Sequence, residues 1–186
     1  MAAPRFLTVR DLCDAFPLAE SDIGVEPSDT PSLEFLRTVA AEEDWEAAVS
    51  FCAYLLPRRE AVWWGCRSVR AIIPTRTPDE EAAIRIAEDW VREPQEERRV
   101  AALDLGIRHS NRLPATWLAL AAGWSGGSMN PGVEGSPQVQ PYQTSRAVRA
   151  ALLIAGCRVG MEEKAGVFRR CVEDGARLAG DETAGI

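Results

Sequence analysis

Histidine and lysine are nearly missing from this sequence, which has one of each among its 186 residues. Any Ser-His-Asp or Cys-His catalytic site would therefore have to use His109. This histidine stands at a polar helix end, where a cation complements the helix dipole without any catalytic role. The residue three positions before it is Gly106, which excludes the Glu-x-x-His pairs of a di-iron bundle. We predict no catalytic residues, and the chain is more typical of a non-enzyme.

The five cysteines predict neither a disulfide framework nor a zinc site, because their number is odd and no two stand in a C-x-x-C spacing. Long hydrophobic runs are also missing. No window approaches the ~18 apolar residues of a membrane span, and residues 1–19 lack the apolar stretch of a signal peptide. We therefore expect a cytoplasmic protein with reduced thiols that binds no metal, no cofactor and no membrane.

Acidic residues outnumber basic ones, giving a net charge of −7. Residues 1–60 hold 12 acidic and 5 basic residues, whereas residues 61–186 hold 16 of each. Like-charge repulsion disfavours nucleic acid as a partner of such a chain. The two acidic clusters at residues 42–46 and 79–81 begin predicted helices, where carboxylates favour the helix dipole, so a metal-binding or catalytic role is disfavoured.

The densest acidic region extends from residue 14 to residue 46, with ten acids and one base. A solvated surface would explain this density. The other interpretation is a surface that attracts another protein with a basic face, because long-range charge steers association. We name Asp22, Glu26 and Asp29 as the candidate contacts for such a partner.

Apolar residues recur at helical spacing along most of the chain, in segments separated by proline, threonine or glycine. The strongest helix start is TPDE at residues 77–80, a capping box with proline at the first helical position. The pattern predicts an all-α fold, a single compact domain of about eight or nine helices arranged as an irregular bundle or a short α-solenoid-like array. We assign residues 1–31 to a short helix and an acidic arm, 32–180 to the helical domain and 181–186 to a frayed tail.

Six tryptophans are many for this length. Trp45, Trp90 and Trp117 lie on apolar stripes at helical spacing and are predicted to be core residues. Trp63 and Trp64 are consecutive and therefore point about 100° apart on a helix. We expect both to be buried in a central helix. The alternative is that one is exposed and marks a contact surface, since tryptophan is enriched at interface hot spots.

The helix predicted from residue 114 to residue 124 is apolar nearly all round, which is typical of a central helix. A Gly- and Pro-rich loop follows it, over residues 125–141, and loops of this length are often functional. Its first residues could cradle an anion on backbone amides, but they lack the spacing and the lysine of a phosphate loop. A helix stop is the favoured interpretation. The candidate contact residues here are Trp124, Ser125, Gly126, Gly127 and Ser128.

Two stretches, LPRREAVWWGC at residues 56–66 and WSGGS at residues 124–128, resemble an uncharacterised family of bacterial all-helical proteins. Genes of that family often lie near type VI secretion components. The resemblance covers most of the chain. It implies an all-helical fold and a secretion-associated context, and it implies no activity and no site residues.

These observations favour a non-catalytic protein-interaction module: a cytoplasmic adaptor or chaperone-like accessory factor whose partner is another protein. The alternative is an enzyme or small-ligand-binding protein with a pocket between the helix at residues 114–124 and the loop at residues 125–141. A deep pocket with a shifted carboxylate would favour the alternative. A flat or grooved apolar surface would favour the interaction module.

Overall fold

The computed structural model describes residues 4–109 and 111–180. Within these residues it contains ten α-helices, no strand and two isolated β-bridges. The all-α prediction is therefore confirmed, and the predicted frayed tail at 181–186 lies outside the described residues. The helices are α1 Val9–Ala15, α2 Ala19–Ile23, α3 Ser32–Ala41, α4 Trp45–Leu55, α5 Arg58–Ile72, α6 Pro78–Arg92, α7 Glu96–Arg108, α8 Pro114–Gly123, α9 Gln143–Gly156 and α10 Met161–Leu178.

One helix was not predicted. It is α2, which forms inside the segment that the sequence predicted as a loop or arm. The rest of that segment is held against α1 by backbone hydrogen bonds. Val9 N–H donates to the Thr30 carbonyl (3.1 Å), and Ser32 N–H donates to the Leu7 carbonyl (2.9 Å). Residues 24–31 therefore run along the start of the first helix.

Contacts divide the chain into two compact units. The first unit comprises the chain up to Pro57 and from Gly156 onward, and the second comprises residues 58–155. In the first unit α4 is the buried helix, and it packs against α2, α3 and α10. Aromatic pairs line these contacts. The rings of Phe35 and Phe51 have centroids 4.7 Å apart.

In the second unit α8 is the central helix, because it contacts α5, α6 and α7. Every α8 residue except Trp117 is buried, as its apolar sequence predicted. The last residue of the helix must be small at this packing distance. A Cβ on Gly123 would lie 2.6 Å from the Leu103 Cα, so only glycine allows α8 to approach α7 this closely.

Arginine side chains bind the C-terminal carbonyls of four successive helices of the second unit. Arg59 donates to the Val91 carbonyl at the end of α6 (2.6 Å), and Arg112 donates to the Gly106 carbonyl of α7 (2.8 Å). Arg76 donates to the Ile73 carbonyl after α5. The fourth, Arg99, binds the end of α8. The last carbonyls of a helix have no intrahelical donor, so these guanidinium groups satisfy them.

A group of charged side chains joins α5 to α6. Arg70 donates to the carboxylates of Glu81 and Glu88 over 2.9 Å each, and Arg76 donates to Glu81 over 3.0 Å. The hydrogen bond from Arg70 lowers the pKa of Glu81 to about 2. These side chains are about one-quarter exposed or less, so solvent screens the interaction only in part.

The tryptophan predictions are confirmed in part. Trp45 and Trp90 are buried core residues. Trp117 is half-buried, because its side of α8 lines an open cleft. Trp64 is 1% exposed, whereas Trp63 is 36% exposed. The expectation that both are buried was wrong, because α5 is covered on one side and the two residues point in different directions.

Replacing Trp64 with Ala should cost about 3–5 kcal/mol in the free energy of unfolding, since it removes a large fully buried side chain. Trp63→Ala is the matched control. It removes an exposed ring that lies beside the Arg67 guanidinium, 4.8 Å from the ring centroid, and should cost about 1 kcal/mol or less. Denaturant melts of the two variants measure the difference. Equal losses would contradict the assigned orientation of α5.

Replacing Glu81 with Gln should make stability less dependent on pH in acid. Folding lowers the pKa of this carboxyl from 4.5 to about 2. The contribution of this carboxylate to the free energy of unfolding is therefore complete above pH 4.5 and is lost as the pH falls through about 2. Unfolding measured from about pH 6 to about pH 2 should give a shallower slope for Glu81→Gln than for the wild type. Glu97→Gln, on the exposed side of α7, should keep the wild-type slope. Identical slopes for all three proteins would refute the role of Glu81.

Candidate functional site

An open cleft of about 290 Å³ lies between α8, together with the residue after its end, and the first half of α9, within the second unit. The Trp117 and Trp124 rings form one wall, with centroids 6.4 Å apart and planes inclined by 62°. Both rings are half-buried. The other lining residues all belong to α9: Gln143, Arg146, Ala147, Arg149 and Ala150.

Hydrogen bonds at the end of α8 hold the two walls of the cleft. The Thr144 hydroxyl, at the start of α9, donates to the Trp124 carbonyl (3.0 Å) and so joins the two helices. Arg58 donates to the Ser125 carbonyl (2.9 Å). The position of Trp124 is thus determined by bonds to its own carbonyl and to that of the next residue.

A buried arginine lies beneath the same segment. Arg99 is 4% exposed. It donates to the Gly123 carbonyl (2.6 Å) and makes two hydrogen bonds to the Glu96 carboxylate (2.7 and 2.6 Å). These bonds lower the pKa of Glu96. A buried guanidinium needs such partners, because an unpaired buried charge is very costly.

The segment at residues 125–128 acts as a helix stop. Its carbonyls accept hydrogen bonds, from Arg58 at Ser125 and from the Val139 N–H at Gly127 (2.9 Å). Gly127 has a φ of +69°, and a Cβ there would lie 2.7 Å from a nitrogen of Arg99. The arrangement favours the helix-stop interpretation over an anion cradle built on backbone amides, because the adjacent guanidinium groups already bind the carbonyls.

Two arginines of α9, Arg146 and Arg149, line the cleft, and both have interaction partners of their own. The indole N–H groups of Trp117 and Trp124 are buried and have no acceptor among the described residues. The cleft therefore presents two half-buried aromatic rings and two arginine side chains, the residue types that are enriched at protein interfaces.

The structure separates the candidate residues named from the sequence. Trp64 is buried and cannot belong to an exposed surface, whereas Trp63 is exposed on α5. The four residues after Trp124 do not line the cleft: Ser125, Gly126, Gly127 and Ser128. The alternative pocket was expected against the loop at residues 125–141. The observed cleft instead has α9 as its second wall, because Thr144 brings that helix to the end of α8.

The three acidic candidates lie in the first unit. Asp22 is half-buried and accepts a hydrogen bond from the buried Tyr54 hydroxyl, which gives it a structural role. Asp29 pairs with Arg10 over 2.8 Å at an exposed position, and Glu26 is exposed. The first unit as a whole contains 17 acidic and 8 basic residues, against 11 and 13 in the second.

The sequence reasoning missed Gln143, Arg146 and Arg149 as site residues. The two arginines are three positions apart and so share one face of α9, which was a usable signal. The apolar stripe of α9 predicts which face is buried and says nothing of the function of its polar face. Trp117 was predicted as a core residue, but it lines the cleft.

Fold and cleft together define an all-α protein with a cleft lined by tryptophan and arginine. The chain belongs to the family of unknown function DUF6931, which it matches over residues 35–179. No curated protein and no solved structure matches it. Both stretches on which the family resemblance was based lie in the matched region, and the bond from Arg58 to the Ser125 carbonyl joins them.

Among the described residues, no helix has the length and hydrophobicity needed to cross a bilayer. No three of their His, Cys, Asp and Glu side chains come together as a metal site would require.

Replacing Gly127 with Ala should destabilise the protein by about 1–2 kcal/mol, since an L-residue strains the positive φ and its Cβ displaces Arg99. The neighbouring Gly126→Ala is the matched control. A Cβ there meets nothing within 4 Å, so the change should stay within about 0.5 kcal/mol. Thermal or denaturant unfolding compares the two variants. A Gly127→Ala protein as stable as Gly126→Ala would disprove the close contact with Arg99.

Proposed function

We propose that this protein is a non-catalytic protein-interaction module, an adaptor or chaperone-like accessory factor, which binds a partner protein through the cleft of Trp117 and Trp124. The observation that carries the proposal is the composition of the cleft. Tryptophan and arginine are the residues that most often dominate the binding energy of protein interfaces. Here two of each line one concave surface.

The size of the cleft supports the interaction module over the enzyme or small-ligand alternative. Its volume is about 290 Å³, at the lower limit of the ~300–1,000 Å³ typical of pockets that enclose small ligands. An open cleft of this size suits one or two side chains that project from a partner surface. The rings would then bury apolar area against those side chains.

The proposal extends to the cellular context. We infer a bacterial cytoplasmic protein that works beside a secretion system. Support comes from the family resemblance and from the five cysteines, all free thiols, of which four are buried. Burial raises the pKa of the Cys52 and Cys66 thiols, so these two stay protonated and unreactive.

We also propose that the acidic first unit attracts proteins with a basic surface. Of the three acids named from the sequence, Glu26 suits this role best, because Asp22 and Asp29 already bind groups of the first unit. Glu34 is a second exposed carboxylate on α3. Such charges act mainly on the rate of association and lose their effect as salt increases.

Site-specific cross-linking in the native cell tests the cleft. A photoreactive benzoylphenylalanine at Ala150, which lines the cleft, should give a covalent adduct with a distinct protein that mass spectrometry identifies. The same residue at Arg85, exposed elsewhere in the second unit, is the control and should not give this adduct. A Trp124→Ala change should reduce the adduct at Ala150, because it removes one wall of the cleft.

The same experiment with Glu26→Gln and Glu34→Gln tests the acidic surface. Reduced cross-linking at low salt, with no reduction at high salt, would support recruitment by charge. If the variants give as much adduct as the wild type at both low and high salt, these acids form only a solvated surface. If neither Ala150 in the cleft nor the control position Arg85 yields a protein adduct, the interaction module is refuted and the small-ligand alternative is favoured.

A further inference from the structure

We infer that a groove beside Met161, in the first unit, binds a basic peptide segment of a partner protein, in which lysine and arginine side chains flank an apolar one. This Met161 groove shares no residue with the cleft of Trp117 and Trp124, which belongs to the second unit. The inference names a site and a ligand chemistry for the attraction of basic proteins by the first unit, and it rests on that part of the proposed function.

The Met161 groove is an open depression of about 250 Å³ between the corner that joins α3 to α4 and the first two turns of α10. Residues 43–46 line one side, and Met161, Lys164 and Phe168 lie on the other. The Lys164 ammonium donates to the Glu46 carboxylate over 2.6 Å and so joins the two sides. The groove therefore already holds one cation against a carboxylate.

The charge of the lining is negative, because three carboxylates and one ammonium contribute to it. Lys164 neutralises Glu46, and their hydrogen bond raises the pKa of the lysine. The Asp44 carboxylate accepts from the Ala47 N–H through one oxygen and keeps its charge. The Glu43 side chain is exposed and has no hydrogen bond or ion pair among the described residues. Two negative charges thus remain without a cation, which favours a cationic ligand.

Met161 gives the groove an apolar edge. Its side chain is 92% exposed, whereas Trp45 and Phe168, which also line the groove, are buried. A single exposed apolar residue is common on protein surfaces. Methionine is nevertheless enriched at protein interfaces, because its unbranched side chain adapts to different contacts. Beside two carboxylates without a cation, it suits a ligand that combines charged and apolar side chains.

The backbone fixes the place from which the two free carboxylates project. Glu43 has a φ of +59°, in the left-handed region, and the Asp44 N–H donates to the Val39 carbonyl (3.0 Å). The Asp44 side chain is also the cap of α4. Because this corner is held by hydrogen bonds, a ligand loses less affinity to ordering of the protein than it would on a mobile arm.

The charge of the first unit selects the occupant. An acidic peptide or a nucleic acid would be repelled, because this unit contains 17 acidic and 8 basic residues. A metal ion is disfavoured, since no three His, Cys, Asp and Glu side chains of the described residues come together to hold one. A small cation would also leave Met161 exposed. A basic peptide with an apolar side chain satisfies both the carboxylates and the methionine.

Fluorescence anisotropy with three labelled peptides tests the inference on the full chain. The basic probe is Gly-Lys-Arg-Leu-Arg-Lys-Gly, and Gln or Glu replaces every basic residue in the neutral and acidic probes. At about 0.15 M salt the basic probe should bind about tenfold or more tightly than the neutral probe, and the acidic probe should bind most weakly.

Two double variants separate the groove from the general charge of the first unit. Glu43→Gln with Asp44→Asn should weaken binding of the basic probe by about tenfold or more, and asparagine preserves the cap of α4. Glu26→Gln with Glu34→Gln removes the same charge from exposed positions of the same unit and should leave the affinity within about twofold of the wild type. Met161→Ser should weaken the basic and neutral probes by about threefold or more, because it removes the apolar contact.

Unfolding curves for each variant report whether the fold is retained. If the groove double variant does not fold, Glu43→Gln alone changes only an exposed side chain, and Glu26→Gln is then its control. Four results would overturn the inference: no preference for the basic over the neutral probe, no binding of the basic probe, equal losses in the groove and control variants, or unchanged binding by Met161→Ser.

A fifth contrary result is a concentration-dependent dimer that Glu43→Gln with Asp44→Asn abolishes, because the occupant would then be a second copy of the chain. The cross-linking at Ala150 is independent of the peptide probes. A protein adduct at Ala150 without a preference for the basic probe would retain the interaction module and reject only the Met161 groove.

Discussion

The second unit depends on hydrogen-bond donors for the last carbonyls of its helices. They have no donor within the helix, and each one buried without a partner costs about 1–3 kcal/mol. Arginine supplies the donor at four successive helix ends: Arg76 after α5, Arg59 at α6, Arg112 at α7 and Arg99 at α8. A guanidinium suits this task because it has five donors in a rigid plane and never loses its charge. The scarcity of lysine in the chain is consistent with this use.

The cleft follows from these bonds. Arg99 can be buried because Glu96 and the Gly123 carbonyl bind it, and it in turn fixes where α8 ends. Trp124 comes directly after that end, and its carbonyl accepts from Thr144 at the start of α9. The aromatic wall and the start of α9 are thus joined by a hydrogen bond. The rest of the α9 wall is held by its apolar face, since Val148 and Leu152 are fully buried.

Features with local signals were predictable from the sequence. The capping box of Thr77 and Glu80 is present as predicted, and the apolar α8 is central. The five-residue α2 was missed, since it is too short to show a period and has no side-chain cap. The orientation of α5 was also missed. The angle between Trp63 and Trp64 is a property of any helix, but which of them is covered depends on neighbours distant in sequence.

The site was predictable only in its tryptophan part, for the same reason. Trp124 was named, and the i, i+3 arginines of α9 were visible in the sequence, but nothing local indicates that α9 packs against the end of α8. That contact depends on Thr144, which lies 20 residues beyond the carbonyl it binds. Long-range hydrogen bonds of this kind are decided by the fold as a whole.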